Sequence, residues 1–211
     1  RFIAYLKDND IDSFEDVSKD DMYDYITLLR SGKITKRKLS ETSFARNMSS
    51  LRSFYRYLNK VENIKNNPLT SFKGSKIRRK LPDVLTFREV EELLASFDLK
   101  DETELRDRLI TETLYACGLR VSELCDLKTS DVYLNEMYLR VIGKGNKERI
   151  VPFYDTLCDL YRSYLSGYRL KYAKDDHFFV SRRGTGLSER YIQMMLEKAS
   201  LKAGLRVKVH P

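Results

Sequence analysis

The 211-residue sequence predicts a mainly α-helical protein of two domains, with one small β-hairpin or sheet in the second domain. Along most of the chain, apolar residues recur at intervals of three and four, which is the period of an amphipathic helix. Residues 137–142 and 149–153 are instead rich in β-branched and aromatic types, as expected of paired strands. Residues 66–82 break the helical pattern with two prolines, a glycine and a run of lysine and arginine, which indicates a domain boundary.

Three helices are expected before that boundary, over residues 2–8, 18–30 and 41–61. In the third helix, an apolar stripe lies opposite a stripe of basic and small residues. The apolar stripe is Phe44, Met48, Leu51, Tyr55 and Leu58, and the polar stripe is Arg46, Ser49, Ser53, Arg56 and Lys60. The first stripe is expected to pack in a core. The second suits a DNA-binding helix, because serine permits close approach and arginine reaches phosphates or base edges, but a solvated face explains it as well.

The second domain is expected to begin with a capping box, in which Thr86 and Glu89 start a helix that continues to about Phe97. Further helices end at Gly118 and span residues 120–127. The later elements are the hairpin with GKGNK at its tip, a helix over 155–172, a short strand over 177–180 and a helix over 188–203. The domain ranges predicted in this way are 1–66 and 83–211, joined by a basic linker over 67–82.

The charge of the chain is concentrated in one segment. Residues 1–29 carry three basic and eight acidic side chains, residues 30–80 carry fifteen and two, and residues 81–211 carry twenty-one of each. The net charge of +8 therefore comes from residues 30–80. A concentrated basic block is typical of a polyphosphate partner such as DNA, although a solubilising surface would also carry one.

Cysteine, histidine and hydropathy patterns argue against several other classes of protein. Cys117, Cys125 and Cys158 are odd in number and lack CxxC spacing, so neither a disulfide framework nor a zinc site is expected, and a reducing cytoplasm fits best. His177 and His210 stand far apart and without a carboxylate cluster at metal-ligand spacing, so no metal is expected. No stretch approaches the roughly 20 apolar residues that would span a membrane.

The stretch ACGLRVSEL, residues 116–124, places Arg120 three residues before Glu123 and just after a helix stop at Gly118. An exposed ion pair at this spacing would contribute only about 0.2–0.5 kcal/mol. Because Arg120 lies among aliphatic residues, we expect its guanidinium to be partly buried and to need fixed acceptors. A phosphate at a helix N-terminus would be one such acceptor. Lys144, at the hairpin tip, would by itself be a solvated turn residue, and its surroundings are not a P-loop.

Taken together, GLRVSEL, VIGKGNKERIVP and FFVSRRGTGLSER resemble the tyrosine site-specific recombinases, and among them the Xer-type enzymes. SFARNMSSLRSFYRYL and NNPL resemble the core-binding domain of the same family, so the resemblance covers nearly the whole chain. It implies a SAM-like helical core-binding domain and an α+β catalytic domain that clamp double-stranded DNA, with the basic linker between them.

The resemblance also implies a reaction and residues to carry it. The family cleaves one DNA strand by attack of a tyrosine hydroxyl, forms a 3′-phosphotyrosine, and exchanges strands without metal, ATP or cofactor. Arg120 matches the first of two arginines that clamp the phosphate, Glu123 matches the acidic residue that supports it, and Lys144 matches the hairpin lysine that acts as general acid. The implied DNA-binding residues are Arg46, Ser49, Ser53, Arg56, Lys76, Arg78, Arg79 and Lys147.

The sequence departs from the family pattern at its end, where VHP stands in place of the complete PHxLRH-like motif. His210 occupies the variable position before the proline, so it is not expected to be catalytic. The second arginine and the nucleophile have no counterpart among the 211 residues, and Tyr55, Tyr115 and Tyr191 are expected to pack within helices. We therefore expect this chain to be inactive alone, with the first core-binding helix missing before Arg1.

The function expected from the resemblance is Xer-like resolution of chromosome or plasmid dimers in the cytoplasm, by a homo- or hetero-tetramer of recombinases on DNA. Three alternatives stay open from the sequence. The first is a phage or mobile-element integrase of the same family, and the second is a non-catalytic DNA-binding module. The third is a scaffold whose basic face docks acidic proteins.

Overall fold

The computed structural model of the chain describes residues 1–72, 84–143, 145–207 and 209–211. The chain divides into two compact units, Arg1–Leu81 and Pro82–Pro211. Most of the linker expected over 67–82, including Lys76, Arg78 and Arg79, lies outside the described residues.

The first unit contains three helices: α1 (Phe2–Asp8), α2 (Lys19–Ser31) and α3 (Glu41–Val61). These bounds agree with the predicted ones to within a residue. Ser18 begins α2 with a capping box, since its hydroxyl accepts from the Asp21 N–H and the Asp21 carboxylate accepts from the Ser18 N–H.

The core of the first unit forms where the apolar stripe of α3 meets the other two helices. All five residues of that stripe are buried, and Tyr55 is completely inaccessible to solvent. The opposite stripe, including Arg46 and Arg56, is exposed as predicted. Leu69 is buried in the same core and Phe72 packs against it, so the packed part of this unit extends beyond the boundary expected at residue 66.

The second unit contains six α-helices, a three-stranded sheet and a π-helical segment within its described residues. In chain order they are α4 (Phe87–Ala95), α5 (Glu102–Cys117), α6 (Val121–Asp126), β1 (Val132–Tyr133), β2 (Tyr138–Gly143), β3 (Lys147–Pro152), α7 (Asp155–Tyr164), the π segment (Leu165–Arg169), α8 (Leu170–Tyr172) and α9 (Glu189–Lys202). The strands are antiparallel in the order β1-β2-β3. The capping box of Thr86 and Glu89 at the start of α4 is confirmed.

Three details differ from the predicted elements. The helix expected over 155–172 is interrupted by the π segment. The strand expected over 177–180 is reduced to isolated bridges: Phe178, Phe179 and Val180 are all buried in the core, and an apolar run of this kind does not distinguish a strand from another core segment. The two-residue strand β1 was not predicted, since it is too short to show a period.

A polar network inside the second unit was also not predicted. Arg106, only 2% exposed, donates to the Asp107 carboxylate (Nη2 to Oδ1, 2.6 Å), the Tyr168 hydroxyl (3.0 Å) and the Val180 carbonyl (3.0 Å). It also contacts the Tyr191 hydroxyl, which donates to the other Asp107 oxygen at 2.8 Å. Tyr191 therefore serves this network as well as helix packing.

Tyr115 was expected to pack within a helix, and this was wrong: its side chain is 55% exposed on α5 and does not pack in the core. The three cysteines are free and buried. Within the ranges that the structure describes, no helix has the length and apolar character needed to cross a membrane.

Candidate active site

The site is built where α5 ends and α6 begins. Gly118 follows the last residue of α5 in the left-handed conformation, with φ of +56°, which glycine adopts at low cost. The chain reverses there and Arg120 becomes the N-cap of α6, with extended backbone angles. Glu123 then lies in the first turn of α6, facing back toward the N-cap.

Glu123 holds Arg120 in two ways. The Arg120 backbone N–H donates to Glu123 Oε2 at 2.8 Å, and Arg120 Nη1 donates to Glu123 Oε1 at 2.6 Å. The Glu123 side chain is only 3% exposed. A carboxylate so well removed from water needs charged partners, and one of them is Arg120.

The second partner of Glu123 is Arg149, on β3. Its guanidinium makes a bidentate pair, with Nη1 donating to Oε1 and Nη2 donating to Oε2, each at 2.7 Å. Arg149 was not among the site residues predicted from the sequence, although its position on the strand gives one signal. Arg149 and Val151 lie on the same face of β3, because they are two residues apart. Their partners in β2 are the buried Val141 and Leu139, and an arginine on such a face requires an acceptor.

These bonds fix the protonation state of Glu123. Hydrogen bonds from Arg149, with further bonds from the Arg120 backbone and side chain, lower the pKa of the Glu123 carboxyl to about 2, against the opposing effect of burial. At neutral pH the cluster therefore contains two guanidiniums and one carboxylate, and it keeps one net positive charge.

The Arg120 side chain is 65% exposed, so the expectation that it would be partly buried was wrong. Its neighbours Leu119 and Leu124 point into the core, whereas the guanidinium turns outward. Only Nη1 of Arg120 is engaged with Glu123, and Nε and Nη2 make no hydrogen bond to any residue that the structure describes. These groups are free to donate to an added anion.

Arg120 opens onto a cleft of about 500 Å³. Its lining residues are Gly118, Arg120, Gly143, Lys147, Glu148 and Arg149. A β-carbon at Gly143 would stand 3.1 Å from Glu123 Oε1, 3.3 Å from Arg149 Nη1 and 3.5 Å from Arg120 Nη1. The absence of a side chain at Gly143 thus leaves room for the cluster of charges at the cleft wall.

The other predicted site residues fall in three places. Lys147 lines the same cleft as Arg120, whereas Lys144 lies outside the described residues. Lys76, Arg78 and Arg79 also lie outside them. The remaining four belong to the first unit, where they are exposed along α3: Arg46, Ser49, Ser53 and Arg56.

Contrary to the expectation from the sequence, one histidine has two carboxylates beside it. Asp175, Asp176 and His177 bring one ligand atom each to within 4.8 Å of one another. Both carboxylates have partners within the protein: Asp175 accepts from the backbone N–H of Gly186 at 2.9 Å and of His177 at 3.1 Å. Asp176 accepts from Lys128 at 2.8 Å.

Comparison with known proteins gives the family. Residues 83–211 match the description "Phage integrase family", and residues 1–61 match "Phage integrase, N-terminal SAM-like domain". The chain is 34% identical over 212 residues to a tyrosine recombinase of Pseudothermotoga lettingae and 35% identical over 216 residues to the tyrosine recombinase XerC of Bacillus pumilus. Both matches cover 100% of this chain, which spans 70% and 69% of the two relatives.

A solved structure agrees with the fold. The XerH site-specific recombinase, bound to its palindromic difH substrate in a post-cleavage complex, matches with a TM-score of 0.73 and 24% sequence identity. The match covers 93% of this chain and 58% of that one.

The matches to both family models and to named tyrosine recombinases define the class of the protein: it is a tyrosine recombinase, the class of enzyme that carries out site-specific recombination. The chain belongs to the phage integrase family, and its relatives place it with the Xer-type members.

Proposed function

We propose that this chain carries the DNA-binding part and the phosphate-clamping part of an Xer-like recombinase, which resolves chromosome or plasmid dimers in the cytoplasm. The observation that carries the proposal is the cluster of Arg120, Glu123 and Arg149 at the edge of an open cleft. The cluster presents free guanidinium donors and one net positive charge. A phosphodiester carries one negative charge, so the two are complementary.

In the proposed reaction, the oxygen of a tyrosine hydroxyl attacks the scissile phosphorus and gives up its proton to solvent, and the bond from phosphorus to the 5′-oxygen breaks. Arg120 donates to a non-bridging oxygen as charge develops on it, and Lys144 delivers a proton to the departing 5′-oxygen. The phosphotyrosine conserves the energy of the broken bond, so rejoining needs no external energy source. Glu123 takes no proton in this sequence, because its pKa is held at about 2.

The partner we propose is double-stranded DNA, bound by a homo- or hetero-tetramer of recombinases. The exposed face of α3 supports DNA binding in the first unit, through Arg46, Ser49, Ser53 and Arg56. Lys147 contributes from the cleft. We assign Lys76, Arg78 and Arg79 to the same role from the sequence resemblance alone.

We further propose, from the sequence resemblance, that these 211 residues do not supply the nucleophile, and the surroundings of four of the fourteen tyrosines support this. A nucleophilic tyrosine needs a hydroxyl that ionises easily and faces the phosphate. Burial instead raises the pKa of Tyr55 and Tyr164 to about 12, and burial together with a bond to Glu112 does the same for Tyr154. The Tyr191 hydroxyl is engaged by Arg106 and Asp107 inside the second unit.

Covalent trapping on a nicked duplex, read on a denaturing gel, tests this function. We expect the full-length gene product to give a DNA-linked band and the 211-residue chain to bind the duplex without one. In the full-length protein, Arg120→Ala should slow trapping by roughly 100- to 1000-fold, the usual cost of losing one donor to a developing oxyanion, while DNA affinity stays within about twofold.

A matched control is available in Arg162→Ala. Arg162 is 55% exposed and also pairs with an acid three positions away, Asp159, but it lies on α7 and does not line the cleft. Trapping by Arg162→Ala should equal that of the wild type. If Arg120→Ala traps as fast as this control, the assignment of Arg120 is wrong. If the 211-residue chain itself becomes linked to DNA, one of its own tyrosines is the nucleophile.

The proton donor can be tested separately, since Lys144 is assigned from the sequence resemblance alone. We expect Lys144→Ala to slow cleavage of an ordinary substrate by roughly 100-fold or more, as for other general acids, and to cleave a 5′-thiol substrate at nearly the wild-type rate. A thiolate leaves without a proton. Equal defects on both substrates would exclude Lys144 as the general acid.

A further inference from the structure

We propose that Arg149 is a positioning residue, which holds the Glu123 carboxylate and through it fixes the Arg120 guanidinium at the cleft. The inference rests on the proposed function, in which Arg120 binds the scissile phosphate. Arg149 lies on β3 and Arg120 caps α6, so the same contact also ties the β2–β3 hairpin to the start of that helix.

The geometry of the three side chains is the first argument. Arg149 makes two parallel bonds of 2.7 Å to the two oxygens of Glu123. Arg120 makes one side-chain bond of 2.6 Å to the same carboxylate and one from its backbone. Arg149 is therefore the partner that sets the plane of the carboxylate, and the carboxylate in turn sets where Arg120 Nη1 can lie.

Charge is the second argument. The Glu123 side chain is 3% exposed, and a buried carboxylate with a single partner would draw that partner strongly toward itself. Without Arg149, the cluster would have no net charge, and the Arg120 guanidinium would be free to donate two hydrogen bonds to the Glu123 carboxylate. Because Arg149 occupies that side of the carboxylate, Arg120 keeps Nε and Nη2 for the cleft.

The strand positions explain why an arginine suits this site. In the register of the hairpin, Gly143 pairs with Lys147 and Val141 pairs with Arg149, so the guanidinium passes beside Gly143 to reach the carboxylate. A lysine would offer one point charge in place of a planar fork of donors. Lysine should therefore hold the charge of Glu123 but not its orientation.

The kinetic test uses single-turnover cleavage by the full-length protein. We expect Arg149→Gln to reduce the cleavage rate by roughly 10- to 100-fold, comparable to the loss of supporting partners at other sites, with DNA affinity within about twofold of wild type. Arg149→Lys should recover part of this loss. In an Arg120→Ala background, Arg149→Gln should reduce the rate by less than about threefold more, since the residue it positions is gone.

Arg140→Gln is the matched control. Arg140 lies on β2, is 37% exposed against 38% for Arg149, and is likewise bound to a largely buried carboxylate, that of Asp131 at 2.7 Å. A general structural role for arginines of this sheet would give the two variants similar losses of rate. It would also make the loss from Arg149→Gln equal with and without Arg120. Either result overturns the proposal.

A second measurement uses the 211-residue chain and does not depend on cleavage. Inorganic phosphate is titrated while the Arg120 Nε–Hε resonance is followed by NMR. We expect a saturable shift in the wild type and in Arg140→Gln. In Arg149→Gln we expect an affinity weaker by roughly threefold or more, about the cost of one lost hydrogen bond, because Arg120 then turns a further donor from the cleft to Glu123. An Arg120 resonance that phosphate does not move, or equal affinity in all three proteins, contradicts the proposal. A wild-type full-length protein that fails to cleave DNA would instead contradict only the proposed function.

Discussion

The site depends on one carboxylate shared by two guanidiniums, and this gives a pH dependence at the scale of single residues. The folded pKa of Glu123 is about 2, below the ordinary value of 4.5. Its contribution to stability is therefore fully present above about pH 4.5 and is lost as the pH falls from there through 2. The window lies well below neutral pH, so the cluster is intact under physiological conditions.

Glu123→Gln tests this linkage. Glutamine keeps the shape of the side chain but has no carboxyl to titrate, so the free energy of unfolding should fall less steeply with acid in the variant than in the wild type. Urea unfolding at a series of pH values between 7 and 2 measures the difference. Glu148→Gln, which changes an exposed carboxylate of the same cleft, serves as the control. Parallel curves for wild type and Glu123→Gln would show that this carboxyl is not held in its charged form.

Gly143→Ala is predicted to impair the site without unfolding the protein. The added methyl group would stand 3.1 Å from Glu123 Oε1 and 3.3 Å from Arg149 Nη1, which is closer than ordinary van der Waals contact. We expect slower covalent trapping by the full-length protein, with the melting temperature of the second unit nearly unchanged. Gly167→Ala is the control, because the added carbon there meets open space beyond its chain neighbours and the backbone of its own helix. Wild-type trapping by Gly143→Ala would mean that the cluster adjusts without loss.

At the scale of elements, the exposed face of α3 makes a prediction for DNA binding. Each phosphate neutralised by the protein contributes about −0.9 to the slope of log affinity against log salt. Replacing Arg46 and Arg56 with alanine should therefore weaken binding and flatten that slope by about 2. Lys7→Ala with Lys19→Ala removes the same charge from exposed positions of the same unit and should leave the slope unchanged. Equal effects from the two pairs would indicate a general electrostatic attraction and not a DNA-binding face.

The elements that the sequence predicts well are those in which the apolar pattern repeats over many residues or a clear capping motif marks the start. Helix α3 has the bounds expected from its two stripes, and α4 begins at the expected capping box. The π segment and β1 could not be predicted in this way, because each is too short to show a period of its own. The buried stretch 178–180 appeared to be a strand because apolar runs in cores and in strands have the same composition.

Only part of the candidate site could be predicted, because its residues differ in how far apart they lie in the sequence. Arg120 and Glu123 are close in sequence, so the pattern of the chain brings them together. Arg149 lies twenty-six residues beyond Glu123, and only the register of the hairpin places its guanidinium on that carboxylate. The exposure of Arg120 was misjudged because its aliphatic neighbours face the core while it faces the cleft.

At the scale of the whole molecule, the chain has two hydrophobic cores with no residue in common among those that the structure describes. The first contains Leu29 and the second contains Leu124, and both are completely buried. Leu124 lies beside Glu123 on α6, so the second core supports the site directly. Since stability in a protein can differ from one cooperative unit to another, each core is expected to protect mainly its own unit.

Replacing each leucine with alanine tests this division, because such a change in a packed core costs about 2–5 kcal/mol. Leu124→Ala should lower hydrogen-exchange protection in peptides from 84–143 and 145–207 and leave those from α3 nearly as protected as in the wild type. Leu29→Ala should have the reverse effect. In Leu124→Ala, the protection of α3 that DNA induces should then survive. The shift of the Arg120 Nε–Hε resonance that phosphate induces should be lost. Equal loss of protection in both units from either variant would show that the two cores unfold as one, and the binding and clamping functions would not be separable by mutation.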